Sequence, residues 1–161
     1  MAVETITEVR PYLSFKLGGE IFALDVAAVR EVLDFTSITK VPRTPDFMRG
    51  VINLRGSVVP VLDLRLAFEM TSTERTVNTC IIVVEVQVEQ ERLVIGALAD
   101  SVEEVIELEP EQIQPAPNLG TSVKTDFIRG MGRRDSEFIM ILDIDKVFST
   151  GHLELLKSAA A

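Results

Sequence analysis

The stretch Asp46-Phe-Met-Arg-Gly50 returns 80 residues later as Asp126-Phe-Ile-Arg-Gly130. At the same displacement Leu62-Asp63 meets Leu142-Asp143, and Phe68 meets Phe148. Upstream the displacement is 73: Phe22-Ala-Leu-Asp-Val-Ala-Ala-Val29 meets Ile95-Gly-Ala-Leu-Ala-Asp-Ser-Val102, Glu31-Val-Leu33 meets Glu104-Val-Ile106, and Pro42 meets Pro115. The change places a seven-residue insertion within residues 117–125. Chance makes single matches, but collinear order over about sixty residues is a duplication.

Two copies, about 11–70 and 79–150, imply two similar subdomains in one domain spanning 11–150. The polar run Thr71-Ser-Thr-Glu-Arg-Thr76 links them, and their seam is expected to form a groove. Within each copy the apolar period is two, the mark of strands. Leu13, Phe15 and Leu17 alternate with Ser14 and Lys16, and Ile82, Val84, Val86 and Val88 alternate with Glu85, Gln87 and Glu89. Gly18-Gly19 and Arg55-Gly56 are hairpin turns between such runs. Pro60 demands an edge strand or a bulge. Residues 27–33 read as a tight turn and a strand, and Phe138–Ile144 repeats the closing strand. Helix is confined to short turns at Leu64–Met70 and Asp145–Phe148 and to a C-terminal helix at 151–161; residues 1–10 form a tail. The expectation is an all-β chain of two small barrels.

Charge and composition exclude several function classes. The net charge of −9 argues against a nucleic-acid backbone as partner. Residues 11–70 are neutral, whereas 79–150 carry six basic and fourteen acidic groups, so the halves present different electrostatic faces. No apolar run approaches the roughly 20 residues of a membrane helix. Residues 1–8 lack the basic start and apolar core of a signal peptide, and a single cysteine suits a reducing compartment. A cytoplasmic location without membrane insertion is expected.

Reactive groups are sparse. His152 is the only histidine, Cys80 opens an apolar strand, and neither a zinc cluster nor a phosphate-binding glycine loop is present. Asp63, Asp100, Asp143 and Asp145 lie near strand ends. Paired carboxylates could serve a metal-binding hydrolase. Alternatively Asp63 and Asp143, being duplicates, cap the helical turns that follow them. No catalytic residue, metal or cofactor is assigned, and a binding module is the leading class.

The stretch from Val41 to Arg65, Val-Pro-Arg-Thr-Pro-Asp-Phe-Met-Arg-Gly-Val-Ile-Asn-Leu-Arg-Gly-Ser-Val-Val-Pro-Val-Leu-Asp-Leu-Arg, resembles the CheW family of bacterial chemotaxis coupling proteins. The likeness extends through Tyr12–Val26, Val29–Val32, Gly96–Val102 and Ile139–Ile144. It implies two five-stranded SH3-like β-barrels with a groove between them. It also implies a non-catalytic adaptor that links the cytoplasmic tip of chemoreceptors to the regulatory domain of the histidine kinase CheA, recruited to membrane receptor arrays. A coupler for a pilus or surface-sensing pathway has the same signature.

By the same resemblance, Leu13, Val26 and Val29 form an apolar kinase-facing patch whose geometry Gly50 supports. For Leu13 and Val26, plain core residues are the alternative. Glu31 and Arg55 are receptor-facing charges, and Thr79, Cys80, Val102 and Val105 line the receptor groove. Cys80 departs from the family's commoner β-branched residue, and barrel core is the alternative for Val105.

Overall fold

The computed structural model describes residues 9–68, 70, 71, 74–88, 90–115 and 127–147. The proposed C-terminal helix and the residue 117–125 insertion lie outside these. The first copy supplies β1 (Arg10–Leu17), β2 (Glu20–Asp25), a 3-10 turn at Val26–Ala28, β3 (Val29–Asp34), β4 (Met48–Leu54), β5 (Ser57–Asp63) and α1 (Leu64–Ala67). The second supplies β6 (Cys80–Val88), β7 (Glu91–Ala99), β8 (Ser101–Leu108), a 3-10 turn at Pro110–Gln112, β9 (Ile113–Gln114), β10 (Ile128–Arg134), β11 (Glu137–Leu142) and α2 (Ile144–Val147).

These strands form two sheets, and neither sheet coincides with one copy. Sheet A runs β8-β1-β2-β11-β10-β9 and sheet B runs β3-β6-β7-β5-β4. Each copy therefore gives its first hairpin to one sheet and its remaining strands to the other. This corrects the expectation that residues 11–70 and 79–150 are separate barrels. The exchange is reciprocal: parallel β5–β7 (Val61 opposite Gly96) matches parallel β11–β2 (Ile141 opposite Ala23). Both sheets also share a bulge, between Val29 and Glu31 in one and between Leu13 and Phe15 in the other.

Each sheet curls into an open, SH3-like barrel. Thr39, beyond β3, bridges back to Val51 on β4, and β9, beyond β8, pairs with β10. Sheet A thus has six strands rather than five, the extra one being the two-residue β9. Thr39 and Gln114 face equivalent positions, Val51 and Met131, yet are 75 rather than 73 residues apart. Part of the insertion therefore precedes β9.

Period-two patterning places the core in three parts. One face of β1, β2, β6 and β7 contributes Leu13, Phe15, Phe22, Leu24, Ile82, Val84, Ile95 and Ala97 to a large cluster between the sheets. The opposite faces fill the barrels, with Tyr12, Ala23, Ile139 and Ile141 in one and Ile81, Val83, Leu98 and Val61 in the other. The seam is thus mostly a packed apolar layer, which corrects the expectation of an open groove along it. A polar cavity of about 470 Å³ opens at one margin, between Arg10, Asp25, Gln87, Arg129 and Asp145. Two backbone clasps join the sheets beside this layer. Gly18 N–H donates to Asp100 at 2.8 Å, and Gln87 N–H donates to Asp145 at 2.8 Å.

Pro60 is on neither an edge strand nor a bulge. It opposes Val51 inside the sheet, but the ladder to β7 starts only at Val61. The missing N–H therefore falls just short of that ladder.

Candidate functional site

A cavity of about 700 Å³ opens on sheet B around two residues singled out from the sequence. Its apolar wall includes Val58, Val59, Pro60, Val83 and Val94, and Arg30, Glu31, Arg55 and Arg92 stand at its rim. Arg55 and Gly56 have φ values of 50° and 86°, the two left-handed residues of a tight type I′ hairpin turn. That turn carries Arg55, 72% exposed at the side chain, to the edge strand β3. There its Nη2 donates to Glu31 Oε2 at 2.7 Å. The hydrogen bond is the main reason the Glu31 carboxyl lies below its ordinary pKa, and the same bond raises Arg55. Arg30 and Arg92 both pair with Glu85, at 3.3 and 3.8 Å. Exposed charges around an apolar wall suit protein docking better than enclosure of a small molecule.

The candidate kinase patch is less open. Leu13 is buried in the inter-sheet layer, while Val26 and Val29 are half-buried where the chain crosses from sheet A to sheet B. The crossing is fixed by Asp25, whose carboxylate accepts from Ala27 N–H at 2.9 Å and pairs with Arg10. Gly50 stands on β4 at φ 146°, beside a register shift. A Cβ there would run into the Thr39 carbonyl, so this glycine allows the close approach that curls sheet B.

Thr79 and Cys80 are also buried. Thr79 Oγ1 accepts from Thr76 N–H at 2.8 Å and donates to the Glu74 carbonyl at 3.2 Å. Cys80 lies opposite Asp34 and Ala99, and its sulfur is hydrogen-bonded to the Val102 backbone at the second crossover. Burial raises its thiol pKa. Val102 packs on the inter-sheet layer, whereas Val105 is 58% exposed. Two pairs therefore come together, Glu31 with Arg55 and Cys80 with Val102. Val105 stands directly opposite Leu13, so the two proposed partner sets interleave on β1 and β8. By the 73-residue displacement Val29 and Val102 are also equivalent crossover residues.

The strand-end aspartates have structural work. Asp63, fully buried, accepts from Arg65 N–H at 3.1 Å and pairs with Arg49 at 3.2 Å. Asp143 accepts from Lys146 N–H at 3.3 Å and pairs with Arg129 at 3.7 Å. Asp100 pairs with Arg65. Among the described residues no three His, Cys, Asp or Glu side chains are grouped as a metal site.

The CheW-like domain description matches residues 11–151. The chain belongs to the CheW-like family. Among CheW-like relatives, it is 33% identical to "Chemotaxis protein CheW" of Klebsiella aerogenes, over 99% of this chain and 93% of that one. It is 34% identical to "Probable chemotaxis protein CheW" of Rhizobium etli, over 87% and 88%. The solved scaffolding protein TtCheW from Thermoanaerobacter tengcongensis superimposes with a TM-score of 0.76 at 33% identity, covering 89% of this chain and 90% of that one.

On this CheW-like body, Arg30, Val58 and Arg92 complete the lining of the cavity beside Glu31 and Arg55 and were missed from sequence. Val58 is a solvent-side residue of an alternating strand, which is detectable. Arg30 and Arg92 converge only because β3 and β7 both flank β6, and nothing local in the sequence reports that.

Proposed function

We infer that the chain is a non-catalytic adaptor that couples the cytoplasmic tip of chemoreceptors to the regulatory domain of the kinase CheA. The chemotaxis role follows from membership of the CheW-like family. The observation that supports the coupling mechanism is that one two-sheet body presents both the Glu31–Arg55 ion pair and the half-buried Val26–Val29 crossover. The Glu31–Arg55 pair stands at the cavity on sheet B, which is lined in part by the barrel-core residues Val59 and Val83. The Val26–Val29 crossover lies at the seam, backed by the inter-sheet core. A rigid seam holds the two at fixed spacing, which a bridge between partners requires.

In this reading the receptor segment meets Glu31 and Arg55, with Val58 supplying apolar contact; Thr79, Cys80 and Val102 do not line that cavity and support the body from the start of β6 and the second crossover. The kinase covers Val26 and Val29, with Leu13 supporting them from beneath and Gly50 setting the curl of the sheet. No helix among the described residues is long and apolar enough to cross a membrane; in this reading, recruitment to the array proceeds through the receptors. The test is simultaneous retention. The purified chain, mixed with the kinase regulatory domain and a soluble receptor-tip fragment, should elute with each alone and with both in one complex; mutually exclusive binding would refute the bridge.

A further inference from the structure

The duplication copies the docking face as well as the fold. At displacements of 73 and 80, Glu31 corresponds to Glu104, Arg55 to Asp135, Ser57 to Glu137 and Val58 to Phe138. The structure places Glu104, Asp135 and Glu137 of this second set around a cavity of about 320 Å³ on sheet A, walled by Ile21, Ile106 and Ile139. The equivalent residues Val58 and Phe138 are both exposed, at 64% and 54%, but only Val58 lines its cavity. The rim ion pair also recurs: Glu31 with Arg55 in one copy, Glu104 with Arg134 in the other.

What differs is the sign of the remaining charge. Arg30 pairs with Glu85 on sheet B, whereas at the equivalent place on sheet A Glu103 pairs with Lys16. Three arginines and one glutamate line the first cavity; four carboxylates, one lysine and one arginine line the second. Asp135 occupies the turn position of Arg55 and holds a similar left-handed φ, 56° against 50°. A protein with two equivalent apolar-walled faces risks docking its partner the wrong way round. A partner segment of acidic chemistry, complementary to the three arginines of the first cavity, would be repelled by the carboxylates of the second, which removes the wrong arrangement.

Resting on the receptor-facing reading of Arg55, we propose that Asp135 and Glu137 are specificity determinants. They reverse the charge of the duplicated face, so that the receptor segment docks at sheet B and not at sheet A. The polarity of the adaptor between its partners then depends on these two carboxylates.

The test uses the full chain and a soluble receptor-tip fragment, with binding followed by calorimetry. Arg55→Glu should weaken binding about tenfold. Adding Asp135→Arg and Glu137→Ser to that variant should restore affinity to within about threefold of the original, now through sheet A. The backbone there already holds the φ that Arg55 adopts, so the exchange adds little strain. In the otherwise unaltered chain, the same two substitutions should raise the stoichiometry from one receptor segment towards two. A folded double variant, verified by circular dichroism, that neither restores binding nor changes stoichiometry overturns the proposal. If the graft fails to fold, Asp135→Asn alone gives the readout, a measurable second site or none. Undiminished binding by Arg55→Glu would instead overturn the receptor-facing reading, and this inference with it.

Discussion

Arg55 Nη2 donates to Glu31 Oε2 at 2.7 Å, joining the hairpin turn after β4 to the edge strand β3. Both groups lie at the surface, so their pairing contributes little to folding. Its value is to hold two charges in one orientation at the rim of an apolar-walled cavity. Arg55→His and Glu31→Lys are each expected to weaken receptor binding while leaving kinase binding near its original level. Parallel pull-downs against each partner check this, and equal loss of both would show misfolding.

The reverse separation is expected at the crossover. Val29 is half-buried against the inter-sheet core, so a longer side chain cannot turn fully inward. Val29→Met should protrude, weaken kinase binding about tenfold and spare the receptor. The same two pull-downs measure it.

Gly50→Ala tests whether curling of sheet B depends on that close approach. The added Cβ meets the Thr39 carbonyl and comes within 2.8 Å of Ile38 Cγ2. A loss of about 2 kcal/mol in urea-unfolding stability is expected, the scale of an enforced backbone strain.

Asp63 and Asp143 perform duplicated structural roles at unequal depth. Asp63 is fully buried; the Asp143 side chain retains 13% exposure. Asp63→Ala should cost about 2–3 kcal/mol, because a charge-assisted pair and a helix cap are lost together. Asp143→Ala should cost less. Chemical denaturation of both variants compares them directly; a gain in metal-dependent thermal stability by the parent, lost in either variant, would favour the hydrolase alternative.

Cys80 gives a pH prediction. Burial raises its pKa in the folded state, so the folded chain holds the thiol proton more tightly than the unfolded chain. The associated stability is fully present below the ordinary thiol pKa and declines as pH rises from there through the raised value. Alkylation should therefore be slow in the folded chain at neutral pH and fast in denaturant, and Cys80→Val should flatten the alkaline decline.

The sequence exposed the hairpins because their turn chemistry is local: Gly18-Gly19 and Arg55-Gly56 supply the left-handed residues that such turns need. The capping roles of Asp63 and Asp143 were legible because duplication showed them twice. The exchange of strands between sheets was hidden. Alternation tells which face of β5 is buried, but not that its parallel neighbour β7 belongs to the other copy. The same gap affects Leu13. A residue buried between two sheets and one buried against a partner share one period, and only the folded structure shows that sheet B already covers Leu13.

The most direct test is co-sedimentation of CheA with receptor-containing membranes, with and without this chain. The account predicts that the kinase pellets with the membranes only when the chain is added, and that both Arg55→His and Val29→Met reduce the pelleted fraction. Kinase that pellets equally well without the chain, or a chain that displaces kinase from the membranes, would contradict it.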